Sequence, residues 1–225
     1  MKVLDNYNGF INLEDFMGGD LRVVNSAKVS NQKRSDEMGA EEARLINYLM
    51  KHRHGSPFEH SYFTFYARAP LFVVREWQRH RIGSFNEMSG RYVEFDPEFY
   101  YPDQWRVPAA TNKQGSVIPD DYDNDWGRSI TNDYEDAVLD AYKVYRYLLK
   151  SGVAKEMARM VLPLSLYTEF FWTVNARSLM NFLSLRTGED AQWEIRQYAN
   201  AIEVVFSEKM PHTWDAWRAN GKVAP

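Results

Sequence analysis

A chain of 225 residues with 44% hydrophobic and 26% charged residues has ordinary globular composition, and is long enough to bury about 70% of its unfolded surface. It has no cysteine, which excludes a disulfide scaffold, a thiolate metal site and a cysteine nucleophile; a net charge of −4 argues against a nucleic-acid coat protein. The first residues lack the apolar run of a signal peptide, and no stretch approaches the ~18 consecutive apolar residues of a membrane span, so a cytoplasmic protein without a membrane partner is expected.

In chain order, Leu45 with Leu49 and Ile46 with Met50 make 41–52 an amphipathic helix, broken over 53–60 by Gly55 and Pro57. Residues 61–68 are β-branched and aromatic, with Phe63, Phe65 and Ala67 on one face of a strand. Pro70 suits the first position of a helix over 70–81. Residues 82–91 read as an ordered loop and 92–101 as an extended segment. The Pro- and Gly-punctuated stretch 102–130 reads as a surface insertion, at about 103–130, within a single domain spanning 1–225. A stripe of Tyr134, Val138, Tyr142, Tyr145 and Leu149 predicts a helix over 131–151 with Gly152 at its C-terminal end, followed by a short helix to Pro163. An aromatic strand over 164–174 leads to Asn175, placed to cap a helix over 176–186. Asp190 is placed to cap a last long helix, 191–209, that stops before Pro211. Helix dominates with a few strands between, so the fold class is α+β, helices on a small, largely antiparallel sheet.

The densest polar cluster runs from Arg75 to Arg91. It holds Arg75, Arg79, Arg81 and Arg91, the imidazole of His80, the carboxylates of Glu76 and Glu87, and the hydroxyls of Ser84 and Ser89. Guanidinium forks, Ser hydroxyls and glycine-exposed N–H groups suit phosphate, so the cluster reads either as a site for a phosphorylated small molecule or as a solvated basic helix end. A second constellation, Asn175, Arg177, Asn181 and Arg186, lies among apolar neighbours that leave its polar groups in need of partners. His52, His54 and His60 lack the spacing of a zinc motif, and no metal is expected. No GxGxxG, P-loop or GxSxG pattern occurs, so a nucleotide or flavin site must be non-Rossmann.

Arg79-His80-Arg81, seven residues and then Ser89 match the RHR-x7-S signature of the flavin-dependent thymidylate synthases. The chain resembles that family further in RHRIGSFNEMSGRY, in the segment from His54 to His60, in Leu162-Pro163-Leu164 and in the run from Phe171 to Phe182. The resemblance implies a transferase that moves a methylene from methylenetetrahydrofolate to dUMP, with FAD carrying hydride and NADPH as reductant, for dTMP biosynthesis. It also implies a homotetramer with shared active sites. By position, Ser56, Arg79, His80, Arg81, Glu87, Asn175, Arg177 and Asn181 resemble the FAD contacts. Glu76, Gln78, Arg79, Glu87, Met88, Ser89, Gly90, Arg91, Arg159 and Arg186 resemble the dUMP contacts, with Arg186 the catalytic cation that polarises the pyrimidine. The family pattern implies glutamine at position 76, where this chain has Glu76 and a carboxylate that needs a partner such as Arg75 or Arg79. Some relatives place a histidine near the flavin where this chain has Asp190, so that contact is not carried over.

Overall fold

A computed structural model describes residues 1–4, 8–110 and 115–225; residues 111–114 of the expected insertion lie outside them. Its centre is an antiparallel five-stranded sheet. The strands are β1 (Lys2–Val3), β2 (Gly9–Met17), β3 (Tyr62–Pro70), β4 (Ser84–Glu87) and β7 (Tyr167–Asn175), in the order β1-β2-β3-β7-β4. The small β5 (Val107–Pro108) and β6 (Ser116–Val117) pair apart from it. The helices are α1 (Asp20–Lys28), α2 (Ala40–Lys51), α3 (Leu71–Trp77), α4 (Asn124–Lys150), α5 (Lys155–Ala158), α6 (Ala176–Arg186), α7 (Trp193–Lys209) and α8 (Pro211–Ala219). Helices on a small antiparallel sheet are the α+β class that the sequence implies. Among the described residues no helix is long and apolar enough to cross a membrane.

Period-2 alternation builds the core. Phe63, Phe65 and Ala67 of β3 are fully buried, and their register partners on β7, Val174, Trp172 and Phe170, are buried beside them. Trp77 ends α3 in the middle of this layer, with ring centroids 5.1 Å from Phe170, 5.4 Å from Trp172 and 5.3 Å from Phe182. Much of the aromatic content is therefore core. On the opposite sheet face the Tyr66 ring stacks on Phe171 at 4.9 Å and meets Phe10 at a tilt, 5.2 Å between centroids, and Phe171 is 45% exposed. A second apolar cluster joins Phe95, Phe99 and Leu166 to Val138 and Tyr145 of α4. There the α4 stripe also bonds backbone: the Tyr142 hydroxyl donates to the Phe95 carbonyl (3.0 Å) and the Tyr134 hydroxyl to the Tyr100 carbonyl (2.8 Å).

Several boundaries differ from expectation. Pro70 closes β3 with an extended ψ of 144° and flanks α3 instead of lying in it. The expected helix 70–81 stops at Trp77, because the chain must reverse to run back along β7 as β4. That strand lies inside the expected loop 82–91; its Ser84, Phe85, Asn86 and Glu87 pair with Thr173, Trp172, Phe171 and Phe170. The expected extended segment 92–101 pairs only at the Phe99–Leu166 bridge. The insertion is shorter than expected, since α4 starts at Asn124, where the Asp123 side chain accepts the Asp125 N–H at 2.8 Å. Gly127 sits inside that helix because the Tyr122 ring fills the space of a side chain. Asp190 does not cap α7; Gln192 flanks it without a side-chain cap bond. Pro211 opens α8, which the sequence reading left out, along with β1, β2 and α1. Buried Asp20 ties these unread ends together by accepting from the N–H groups of His212 (2.9 Å) and Thr213 (3.0 Å).

Candidate active site

α6 begins where β7 ends. The side chain of Asn175 accepts the Ser178 N–H at 2.8 Å, fixing the first turn and carrying Arg177, Asn181 and Arg186 along one helix. α3 hands the chain to Arg79, His80 and Arg81 just past its end, where the Arg79 and His80 N–H groups bond the Glu76 and Trp77 carbonyls. The two segments, about a hundred residues apart in sequence, meet at a cleft of about 890 Å³. Its lining includes Arg79, His80, Arg81, Asn175, Arg177, Asn181 and Arg186. Arg53, Arg79 and Arg81 form no ion pair among the described residues, so the cleft carries a surplus of guanidinium charge suited to phosphate.

Two of its arginines are held in place. Arg177 donates to Glu59 Oε1 at 2.6 Å and to the Pro225 carbonyl at 2.7 Å. Gly55 lies so close that a Cβ there would be 2.4 Å from Arg177 Nε. Arg186 donates to Glu76 Oε2 at 2.9 Å and to His80 Nε2 at 3.0 Å. As an acceptor, Nε2 leaves the neutral imidazole's proton on Nδ1. Burial, reinforced by the Arg186 charge, holds the His80 pKa down to about 4 from its usual 6.5, so the ring is neutral at pH 7.

The remaining expected residues lie elsewhere. Exposed Ser56 opens the turn containing Gly55 and Glu59 without lining the cleft. Glu87, on β4, accepts from Gln78 Nε2 (3.2 Å) and Thr168 Oγ1 (3.0 Å). Met88 to Arg91 follow β4 and do not line the cleft. Arg91 pairs with Glu156 at 3.3 Å, and Ser89 Oγ accepts the Arg91 N–H at 3.3 Å. Gly90 is packed so tightly that a Cβ would lie 2.3 Å from the Phe95 ring and 3.1 Å from Arg159 Cδ, placing Arg159 beside this loop. Within one chain, the expected flavin residues therefore converge apart from Ser56 and Glu87. The expected dUMP residues split between the cleft (Arg79 and Arg186, with Glu76 bonded to Arg186 without lining the cleft) and the loop (88–91, Arg159), with the Gln78–Glu87 bond between. No group of three or more His, Asp or Glu side chains among the described residues is arranged to hold a metal.

Residues 12–212 match the family described as thymidylate synthase complementing protein. The chain belongs to this family. It is 50% identical to the flavin-dependent thymidylate synthase of Thermosipho africanus, over 96% of this chain and 92% of that one. It is 47% identical to that of Thermus thermophilus, over 96% and 77%. Among solved structures, a UMP/dUMP methylase, PolB from Streptomyces cacaoi bound with 5-Br dUMP, superposes with a TM-score of 0.87 at 39% identity, over 96% of this chain and 97% of that one.

Within this thymidylate synthase complementing family member, sequence reasoning missed Arg53 and Glu59. Arg53 sits at φ 58° in the turn after α2, a left-handed position unusual for arginine. That outlier, next to Gly55 and Pro57, is a structural mark of the site which the sequence, read for metal ligands, concealed. The partner of Glu76 was also misassigned: it is Arg186, from the facing helix, and not Arg75 or Arg79.

Proposed function

We propose that this chain catalyses the reductive methylation of dUMP to dTMP, with methylenetetrahydrofolate as carbon donor, FAD as hydride carrier and NADPH as reductant. One observation carries the reading: Arg79, His80 and Arg81 from one segment and Asn175, Arg177, Asn181 and Arg186 from another line a single cationic cleft. Its volume lies near the top of the ~300–1,000 Å³ range of ligand sites, and its unpaired guanidiniums match a pyrophosphate. FAD fits these residues, and when bound it supplies the hydride. Arg79, Arg81 and Arg177 hold its phosphates, while neutral His80 and Asn181 offer hydrogen bonds without adding charge. Arg186 stands as a permanent cation where negative charge spreads over the pyrimidine carbonyls. The loop at Ser89 to Arg91, with Arg159, takes the nucleotide phosphate. Ser89 serves as a hydrogen-bonding group, since among the described residues no basic side chain bonds its hydroxyl.

The split between cleft and loop supports a site completed by a second copy of the chain, in a homotetramer. The ring row of partly buried Phe10 and Tyr66 with exposed Phe171 offers an apolar face for that assembly. The enzyme acts in the cytoplasm. The test is tritium release from C5 of labelled dUMP, dependent on NADPH, FAD and methylenetetrahydrofolate. No release in the complete mixture overturns the reading. The same assay with UMP separates a dUMP-restricted enzyme from one with the breadth named for the Streptomyces neighbour.

A further inference from the structure

The segment after α8 folds back onto α6, the helix that carries Arg177. Gly221 (φ 80°) and Lys222 (φ 56°) are consecutive left-handed residues, and the Lys222 N–H bonds the Trp217 carbonyl at 2.9 Å, so the chain reverses as it leaves α8. A left-handed lysine is uncommon. Its ammonium meets both carboxylate oxygens of Glu203, on α7, at 3.0 Å, and lies 5.1 Å from the Trp217 ring centroid. The Lys222 carbonyl accepts from the hydroxyl of Ser184, on α6, whose oxygen receives the Trp217 Nε1–H at 3.2 Å. Three helices, α6, α7 and α8, thus hold one residue.

From that anchor the chain can reach Arg177. Ser184 follows Arg177 by two helical turns, about 10 Å along α6. The three residues from Lys222 to Pro225 span about 10 Å when extended. The Pro225 carbonyl accepts the Arg177 Nε–H at 2.7 Å. Ala224 packs against the core, Pro225 is buried, and both line the arginine cleft. With Nη1 bonded to Glu59, the guanidinium is fixed at two of its nitrogens, and Nη2 bonds nothing among the described residues. A donor fork already held in place has less freedom to lose when an anion binds. We propose that Lys222 is a positioning residue for the arginine cleft: it anchors the segment whose Pro225 carbonyl sets Arg177 for a phosphate. The identity of that phosphate, the flavin's, rests on the function proposed above.

The test compares Lys222→Met, which keeps the apolar stem and removes the ammonium, with a variant lacking Ala224 and Pro225. Two quantities are read: FAD affinity by titration, and the Nε–H signal of Arg177 in arginine-labelled protein, assigned by its loss in Arg177→Lys. Removing the two residues should shift that signal and weaken FAD by about tenfold, and Lys222→Met should do the same by about threefold. Lys222→Arg, whose fork can meet both Glu203 oxygens, should keep wild-type values. Wild-type FAD affinity or an unmoved Arg177 signal in either variant, whatever the melting temperature, leaves Lys222 a structural residue and overturns the proposal. Tighter FAD binding without Ala224 and Pro225 also overturns it, because the segment would then obstruct the cleft. A wild-type protein that takes no FAD fails the function proposed above and not the anchor, which the Arg177 signal and the affinity for inorganic pyrophosphate then decide in the same variants.

Discussion

Arg186 and Glu76 face each other from the end of α6 and the last turn of α3, 110 residues apart in sequence, with Nη1 2.9 Å from Oε2 and Nη2 3.3 Å from the Glu76 carbonyl. If dUMP binds as proposed, the pair makes a carboxylate tolerable near a dianionic nucleotide, because a guanidinium already offsets its charge. Glutamine at position 76 keeps an acceptor for Arg186 and removes the anion. Glu76→Gln should therefore lower the KM for dUMP by up to about fivefold, the size of one partly screened Coulomb contact. Its melting temperature should fall by no more than about 4 °C. A rise in KM would mean that the carboxylate itself binds substrate.

Arg79→Ala should lose flavin during purification while the fold survives. Arg79 is exposed, lies beyond the end of α3, and lines the cleft without an ion pair among the described residues. Losing one charge-assisted contact should cost about 1.5–3 kcal/mol of FAD binding. Flavin absorbance of the purified variant, with its circular dichroism, checks both halves; stoichiometric FAD would sink the assignment.

Gly55→Ala tests the seat of Arg177. The added methyl would lie 2.4 Å from Nε and 2.6 Å from Cζ, so the half-exposed guanidinium must leave Glu59 and the Pro225 carbonyl. The obstructing atoms belong to a flexible side chain, so the protein should fold with a small loss of stability. FAD affinity should drop by about tenfold, the worth of one charge-assisted hydrogen bond. Unchanged flavin affinity on titration would place Arg177 outside the flavin contacts.

Signals contained in one local segment were legible in the sequence: the Asn175 cap, the alternation of Phe63, Phe65 and Ala67, and the arginine-rich run after α3. Signals that depend on a distant partner were not. β4 exists because Phe85 finds Trp172 across the ladder, and nothing within its Gly- and Ser-rich neighbourhood announces a strand. In β2 a register shift between Leu13 and Asp15 breaks the two-residue period. Glu59 enters the site through Arg177, 118 residues away. Glu76 found Arg186 because α3 stops early, which moves Arg79 off the helix face where a partner was expected.

His80 gives the fold a pH dependence. Its native pKa, about 4, lies below the ordinary 6.5. Between these values the unfolded chain binds a proton that the native ring refuses, so stability is full above about pH 6.5 and declines as pH falls towards 4. Protonation there would also remove the acceptor for Arg186 Nε. The wild-type melting temperature should fall more steeply from pH 6.5 to 4 than that of His80→Gln, whose side chain does not titrate. Parallel curves would show that His80 is as free to protonate in the native protein as in the unfolded chain.

Arg186→Ala should abolish dTMP formation while leaving flavin bound. Arg186 closes α6, beyond the Arg177 and Asn181 assigned to flavin, and its guanidinium is fixed by Glu76 and His80 before any substrate arrives. In the proposed reaction such a preorganised cation would stabilise negative charge on the pyrimidine, and removing one such donor typically costs about 10²–10³ in rate. Lysine should rescue poorly, because a single ammonium cannot reproduce a fork that meets Glu76 Oε2, the Glu76 carbonyl and His80 Nε2 together. A purely structural arginine behaves differently. As a helix-end charge it is worth at most about 1 kcal/mol at an exposed position, and as the partner of Glu76 its loss would be offset by Glu76→Gln. The double variant Glu76→Gln with Arg186→Ala should therefore regain stability but not turnover. NADPH-driven flavin reduction and tritium release from labelled dUMP, measured on the same preparation, separate the two roles. Intact reduction with tritium release lowered by at least about a hundredfold is the expected result. Recovery of tritium release in the double variant would leave Arg186 a structural residue and the catalytic assignment wrong.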